Sequence, residues 1–207
     1  MLTAPSSSSW DEWRQRVGEY KDETFTTIDG QRVAFLECGD LSGWPVFFIH
    51  GWPASRLSSL SGAIAARSQG VRLIAPDRPG VGRSEFAPNR SIDDFPDLIG
   101  ALARHLGVAE FAVLGISGGG PYVLSCLYHL PASPLRAATF VAGSLPASSI
   151  DRGTFRNLPF ATRWQYWALK NLPWGVRVSF AVTNALMKAA ASSPSTALRL
   201  FTSFFGA

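Results

Sequence analysis

Cysteine occurs only twice in the 207 residues, as Cys38 and Cys126, which excludes a disulfide framework and a cysteine-built zinc site. Cys126 and His129 stand three apart on an expected helix, but two ligands without a third make no metal centre. Neither a metal nor an organic cofactor is expected. Histidine is almost as scarce, being confined to His50, His105 and His129. Acid nearly vanishes from the end of the chain: residues 151–207 hold seven Lys or Arg but only Asp151 as an acid, so the net charge of +4 arises there. Those cations are spread among Trp, Phe and Leu, a pattern of solvated helix faces that excludes a nucleic-acid module. No apolar run approaches the ~18 residues of a membrane span. The start, Met1-Leu2-Thr3-Ala4-Pro5 and four serines, lacks the charged and apolar regions of a secretory signal. A cytoplasmic protein is expected.

What the chain does have is apolar content. At 46% apolar and 16% charged residues it can bury a sizeable core, which excludes disorder. Residues 1–23 read as a polar lead with Trp10 and Trp13 as its only bulk. Thr24–Ile28 and Arg32–Leu36 alternate around Asp29-Gly30, which predicts a hairpin closed by a type I′ turn. The continuous run Val46–Ile49 predicts a strand buried on both faces. A helix around Leu57–Ser68 stopping at Gly70, and a strand Val71–Ala75, follow. Ser91 and Asp94 have the spacing of a capping box, ahead of helical periodicity from Phe95 to Leu106 and a stop at Gly107. A strand over 111–116, a helix from about Pro121 to before Pro131, and a strand over 137–142 complete the pattern. Alternation of strand and helix from 46 to 142 predicts an α/β fold with a mostly parallel sheet flanked by helices. Beyond about Leu145, Trp164, Tyr166, Trp167, Trp174, Phe180 and Met187 lie in helical segments broken by Pro173 and Pro194. This predicts an aromatic-rich helical lid.

The chemistry concentrates in Gly115-Ile116-Ser117-Gly118-Gly119. G-x-S-x-G between a strand and a helix is the elbow that lifts a serine hydroxyl clear of the backbone. Gly118-Gly119-Gly120 also has the look of a phosphate cradle at a helix N-terminus, but the Lys-Ser/Thr pair of a P-loop is missing. Gly80-Val81-Gly82 begins like a dinucleotide loop, with Glu85 where the third glycine belongs.

Three motifs now stand in order at strand ends: His50-Gly51-Trp52-Pro53, Asp77-Arg78-Pro79-Gly80-Val81-Gly82-Arg83-Ser84, and the serine elbow. Together they resemble the α/β-hydrolase superfamily, with 24–146 as the core and 147–207 as the start of an incomplete lid. The resemblance implies Ser117 as nucleophile, Gly115 and Gly119 as elbow glycines, and the backbone N–H groups of Trp52 and Gly118 as the oxyanion hole. His-Gly-Trp-Pro is similar to the epoxide hydrolases and haloalkane dehalogenases of that superfamily, which carry aspartate at the elbow. Serine there points to acyl transfer on a small apolar ester or related compound.

Serine needs a base, and in this fold the partners follow in the order Ser, Asp/Glu, His. After Ser117 the sequence offers only Asp151 and His129. His129 sits at the far end of the helix after the elbow, roughly 18 Å away at about 1.5 Å per residue, and His50 and His105 read as structural. Asp151 has two readings, triad acid or helix cap. The chain is therefore expected to stop inside the lid, to be inactive or impaired as it stands, and to self-associate through an uncovered sheet edge. The alternative is a non-catalytic remnant that binds a small hydrophobic ligand or a protein partner.

Overall fold

A computed structural model describes residues 11–12, 15–143 and 150–172, and beyond these 174–175, 177–178, 181–182 and 185. The expectations placed on Trp10, Trp13, Leu145, Pro173, Phe180, Met187 and Pro194 lie outside the described residues. The chain falls into two compact units, one within Ser6–Pro146 and one within Ala147–Ala207.

The first unit is built on a six-stranded sheet of order β1-β2-β4-β3-β5-β6, with strands Lys21–Thr26, Arg32–Gly39, Trp44–Ile49, Val71–Pro76, Phe111–Ile116 and Leu135–Val141 in chain order. β1, β2 and β4 pair antiparallel, and β4, β3, β5 and β6 pair parallel. Helices α1 (Ala63–Ser68), α2 (Phe95–His105) and α3 (Gly120–His129) connect the parallel strands. This is the mostly parallel α/β architecture the alternating pattern implies. Its reason is visible in β3, where Phe47 and Ile49 pack against α2 and α3 while Phe48 faces Ala63 and Ala66 of α1. A strand covered on both faces has no use for a polar face.

Local signals hold at several joints. The Ser91–Asp94 capping box forms ahead of α2, and Gly70 and Gly107 adopt positive φ behind α1 and α2. Other details differ from the sequence reading. The hairpin turn is not type I′, because only Gly30 has positive φ (88°). Asp29 instead accepts a hydrogen bond from the Thr27 hydroxyl, and the loop closes as Thr27 N–H to the Gln31 carbonyl at 2.9 Å. The longer loop with one left-handed glycine is the next commonest hairpin solution. The helix expected from Leu57 is a 3₁₀ turn over Arg56–Gly62 that becomes α-helical at Ala63. The N-terminal lead also carries more than its two tryptophans: Val17 is buried against Ala63 and Ala66, and β1 begins at Lys21.

One buried ionic network ties these parts together. Arg56 reaches Asp77 at 2.6 Å and Asp22 of β1 at 2.7 Å, and its backbone N–H donates to Asp77 at 2.7 Å. Asp77 is fully buried and also accepts from the Arg83 N–H at 3.1 Å. The hydrogen bond from Arg56 holds the Asp22 carboxyl below the ordinary range. At the opposite edge, β6 bears an exposed Phe140 and Val141. In the second unit, α4 (Arg152–Asn157) and α5 (Phe160–Asn171) carry exposed Phe160, Trp164 and Trp167.

Removing one partner of a buried pair strands the other charge and typically costs about 3–5 kcal/mol. Arg56→Met is expected to lower stability by that order in urea unfolding. Arg136→Met, which breaks the exposed Arg136–Glu110 pair, is expected to change nothing measurable. A loss below about 1 kcal/mol for Arg56→Met would contradict the network's role.

Candidate active site

The strand order creates the site. From β3 the chain moves to β4 on one side, then crosses back to β5 on the other. Loops leaving β3 and β5 therefore diverge, and open α/β sheets hold their ligands in the crevice at such a switch point. β3 and β5 are in register with Ile49 opposite Gly115. His50-Gly51-Trp52 and Ile116-Ser117-Gly118 consequently emerge side by side.

Ser117 has φ 51°, and Ala142 is the other non-glycine with positive φ among the described residues. That conformation costs an L-residue about 1–2 kcal/mol, strain of the kind that gathers at functional sites. It is held by close packing that only glycine permits. A methyl group at Gly119 would collide with the Ile49 carbonyl, and one at Gly115 would lie 2.6 Å from Val123. Ser117–Gly119 form a 3₁₀ turn that runs directly into α3. The first N–H groups of such a turn have no partner within it and carry the positive end of the helix dipole. A methyl group at Gly118 would stand 3.5 Å from the Trp52 nitrogen, so the Trp52 and Gly118 amides are immediate neighbours beside the serine. Trp52 as a residue is 50% exposed.

Behind these amides sit two buried side chains. His50 is 1% exposed. Its Nδ1 lies 2.8 Å from the Gly51 carbonyl, and its Nε2 accepts the Arg78 N–H at 3.2 Å. A carbonyl requires Nδ1 to carry the proton, and an N–H donor requires Nε2 to be bare, so the ring is neutral. Burial also pushes its pKa down. With both nitrogens engaged, His50 braces the β3 and β4 loops. Arg78 extends from the end of β4, with Nη2 2.9 Å from the Gly51 carbonyl, Nη1 3.5 Å from the Gly118 carbonyl, and its guanidinium 5.0 Å above the Tyr122 ring. Burial lowers its pKa, yet an arginine starts so high that it stays charged.

The structure thus brings Ser117, Gly118 and Trp52 together, with Gly115 and Gly119 as the packing that allows it. The other histidines lie elsewhere. His105 stacks on Phe25 at 5.3 Å, on the β1–β2 side of the sheet. His129 is 3.4 Å from Asp93 at the far end of α3. Asp151 belongs to the second unit. There its carboxylate caps α4, accepting from the Gly153 and Thr154 N–H groups at 2.8 and 3.0 Å. The Thr154 hydroxyl is the main cause of its lowered pKa. Cys126 is buried, its thiol pushed up to about 12, and among the described residues no three His, Cys, Asp or Glu gather as metal ligands. A concavity of ≈ 990 Å³ lies between the hairpin turn and α2, lined by Ile28, Gln31, Arg90 and Leu98. It shares no residue with the elbow, and the chemistry rather than the cavity size locates the site. The sequence motif contains Arg78 without giving it a role of its own; an arginine placed directly after a central strand is the available signal.

The family model described as the alpha/beta hydrolase fold matches residues 45–204. A bifunctional esterase/perhydrolase of Acinetobacter calcoaceticus is 30% identical over 122 residues, covering 58% of this chain and 44% of that protein. A non-heme chloroperoxidase of Streptomyces lividans is 34% identical over 119 residues, covering 57% of this chain and 42% of that protein. The chain spans less than half the length of these curated relatives. Among solved structures, an esterase from Exiguobacterium antarcticum superposes with a TM-score of 0.54 at 23% identity, over 65% of this chain and 50% of the other, which shows a shared fold.

The neutral His50 gives a pH signature. Its folded pKa lies below the unfolded ~6.5, so the unfolded state takes up the proton first as pH falls. Stability is therefore expected to decline as pH falls below about 6.5. In a folded His50→Gln variant this decline should be flatter in urea titrations. An equal slope in both proteins would mean the ring is not held neutral.

Proposed function

The chain belongs to the α/β-hydrolase fold family, and from that premise we propose that it is built for acyl transfer on a small apolar ester through Ser117. The observation that carries this reading is the serine at φ 51° beside two neighbouring amides, those of Trp52 and Gly118. In the reaction Ser117 Oγ attacks the carbonyl carbon and gives up its proton to water, while the two N–H groups receive the negative charge on the carbonyl oxygen. The carbonyl then re-forms, the alcohol leaves with a proton from water, and water cleaves the acyl-serine to the acid and free Ser117. Fixed donors of this kind stabilise the intermediate without reorganising, one typically contributing about 3 kcal/mol. The esterase/perhydrolase and chloroperoxidase relatives support a hydrolase lineage.

None of His50, His105 and His129 serves as the base in this reading. Without one, the oxyanion hole and binding alone typically leave ~10³–10⁴-fold over water, so this chain is expected to turn over slowly. Asp151 as triad acid stays part of the family resemblance, and its use as a cap favours the structural role. A cytoplasmic location and self-association through the β6 edge complete the proposal. Among the described residues no helix is long and apolar enough to cross a membrane. The full engagement of His50 favours a second reading, a non-catalytic remnant that binds a small hydrophobic ligand or a partner.

A fluorophosphonate probe separates the two. Wild-type protein is expected to take up one phosphonyl group on Ser117 slowly, over a prolonged incubation, mapped by peptide mass spectrometry, and Ser117→Ala none. Any hydrolysis of p-nitrophenyl acetate should vanish in the same variant. Absence of labelling in folded wild-type protein, with ligand binding indifferent to Ser117→Ala, would favour the remnant.

A further inference from the structure

Arg78 is a buried cation, 9% exposed, whose charge is aimed at peptide carbonyls. The adjacent carboxylate of Asp77 is already taken by Arg56 and the Arg83 N–H. Arg78 Nη2 instead donates to the Gly51 carbonyl at 2.9 Å, the same oxygen that accepts His50 Nδ1–H at 2.8 Å. Both lone pairs of that oxygen are thereby used. The Gly51 carbonyl and the Trp52 N–H are opposite ends of one peptide group. Positive charge on the oxygen draws electrons from the nitrogen and makes its N–H a stronger donor, as in any polarised hydrogen-bonded chain. The second prong, Nη1, reaches towards the Gly118 carbonyl at 3.5 Å. One planar group therefore spans the loops after β3 and β5, while Tyr122 supports its face at 5.0 Å. Only a rigid fork can do this; an ammonium is a single point charge.

Resting on the reading of Ser117 as nucleophile, we infer that Arg78 is a positioning residue that sets the spacing of the two oxyanion-hole amides and strengthens the Trp52 N–H. It acts through the Gly51–Trp52 peptide and needs no contact with substrate. His50 supplies the second donor to the same oxygen. The pair accounts for a costly buried charge placed between the Gly51 and Gly118 carbonyls.

The test uses the full ¹⁵N-labelled chain, Arg78→Lys, and phenylboronic acid, whose tetrahedral adduct with a serine hydroxyl places an oxygen at the oxyanion position. In the absence of boronate, the Trp52 amide proton and nitrogen are expected to move upfield in Arg78→Lys, while amides of α2 and β2 stay in place. Boronate affinity should fall by ~10-fold, short of the ~10²–10³-fold typical of losing a donor outright. An unmoved Trp52 amide in the folded variant overturns the inference, as does unchanged boronate affinity. If wild-type protein forms no boronate adduct, the Ser117 reading fails, and the amide shift still decides the role of Arg78. If Arg78→Lys does not fold, wild-type protein decides it: a scalar coupling from Arg78 Nη2 to the Gly51 carbonyl carbon supports the inference, and its absence overturns it.

Discussion

Everything at the site depends on the parallel pairing of β3 with β5, which sets Ile49 opposite Gly115. A parallel ladder brings two strands to the same edge at the same height, so whatever follows each strand must share one small space. A Cβ at Gly51, Gly115 or Gly119 would crowd neighbouring backbone or side chains, and Ser117 projects among them at positive φ. The two amides come together because the sheet leaves them nowhere else to go.

A second layer keeps that edge in place. The loop after β4 sends Asp77 backwards to Arg56 and Asp22, and sends Arg78 forwards to the Gly51 and Gly118 carbonyls. Adjacent residues at the end of one extended strand point in opposite directions. One therefore anchors the loop to β1 and the 3₁₀ turn, while the other supports the amides. His50 joins the two loops through both ring nitrogens. Ionic and polar contacts, costly to bury singly, are affordable here because each is met by several partners.

Much of this was legible in the sequence. Buried strands such as Val46–Ile49 declare themselves by continuous apolar runs, and the elbow by glycines around one serine between a strand and a helix. The capping box at Ser91 and the glycine stops at 70 and 107 are local chemistry and were readable as such. The hairpin turn was misread because Asp29-Gly30 fits a type I′ turn locally, whereas the Thr27 hydroxyl and the Gln31 carbonyl favour a longer loop. The role of Arg78 was not legible for a different reason. Its partners are main-chain carbonyls far away in sequence, which leave no mark on residue type. For Asp151 the sequence left two readings standing, and the hydrogen bonds to Gly153 and Thr154 show the cap at work.

The most direct measurement is a crystal structure of the chain with phenylboronic acid bound. The account predicts boron bonded to Ser117 Oγ, with one boronate oxygen within hydrogen-bond distance of both the Trp52 and Gly118 nitrogens. Boron on another residue, or an adduct at Ser117 whose oxygens face away from those two amides, would contradict it.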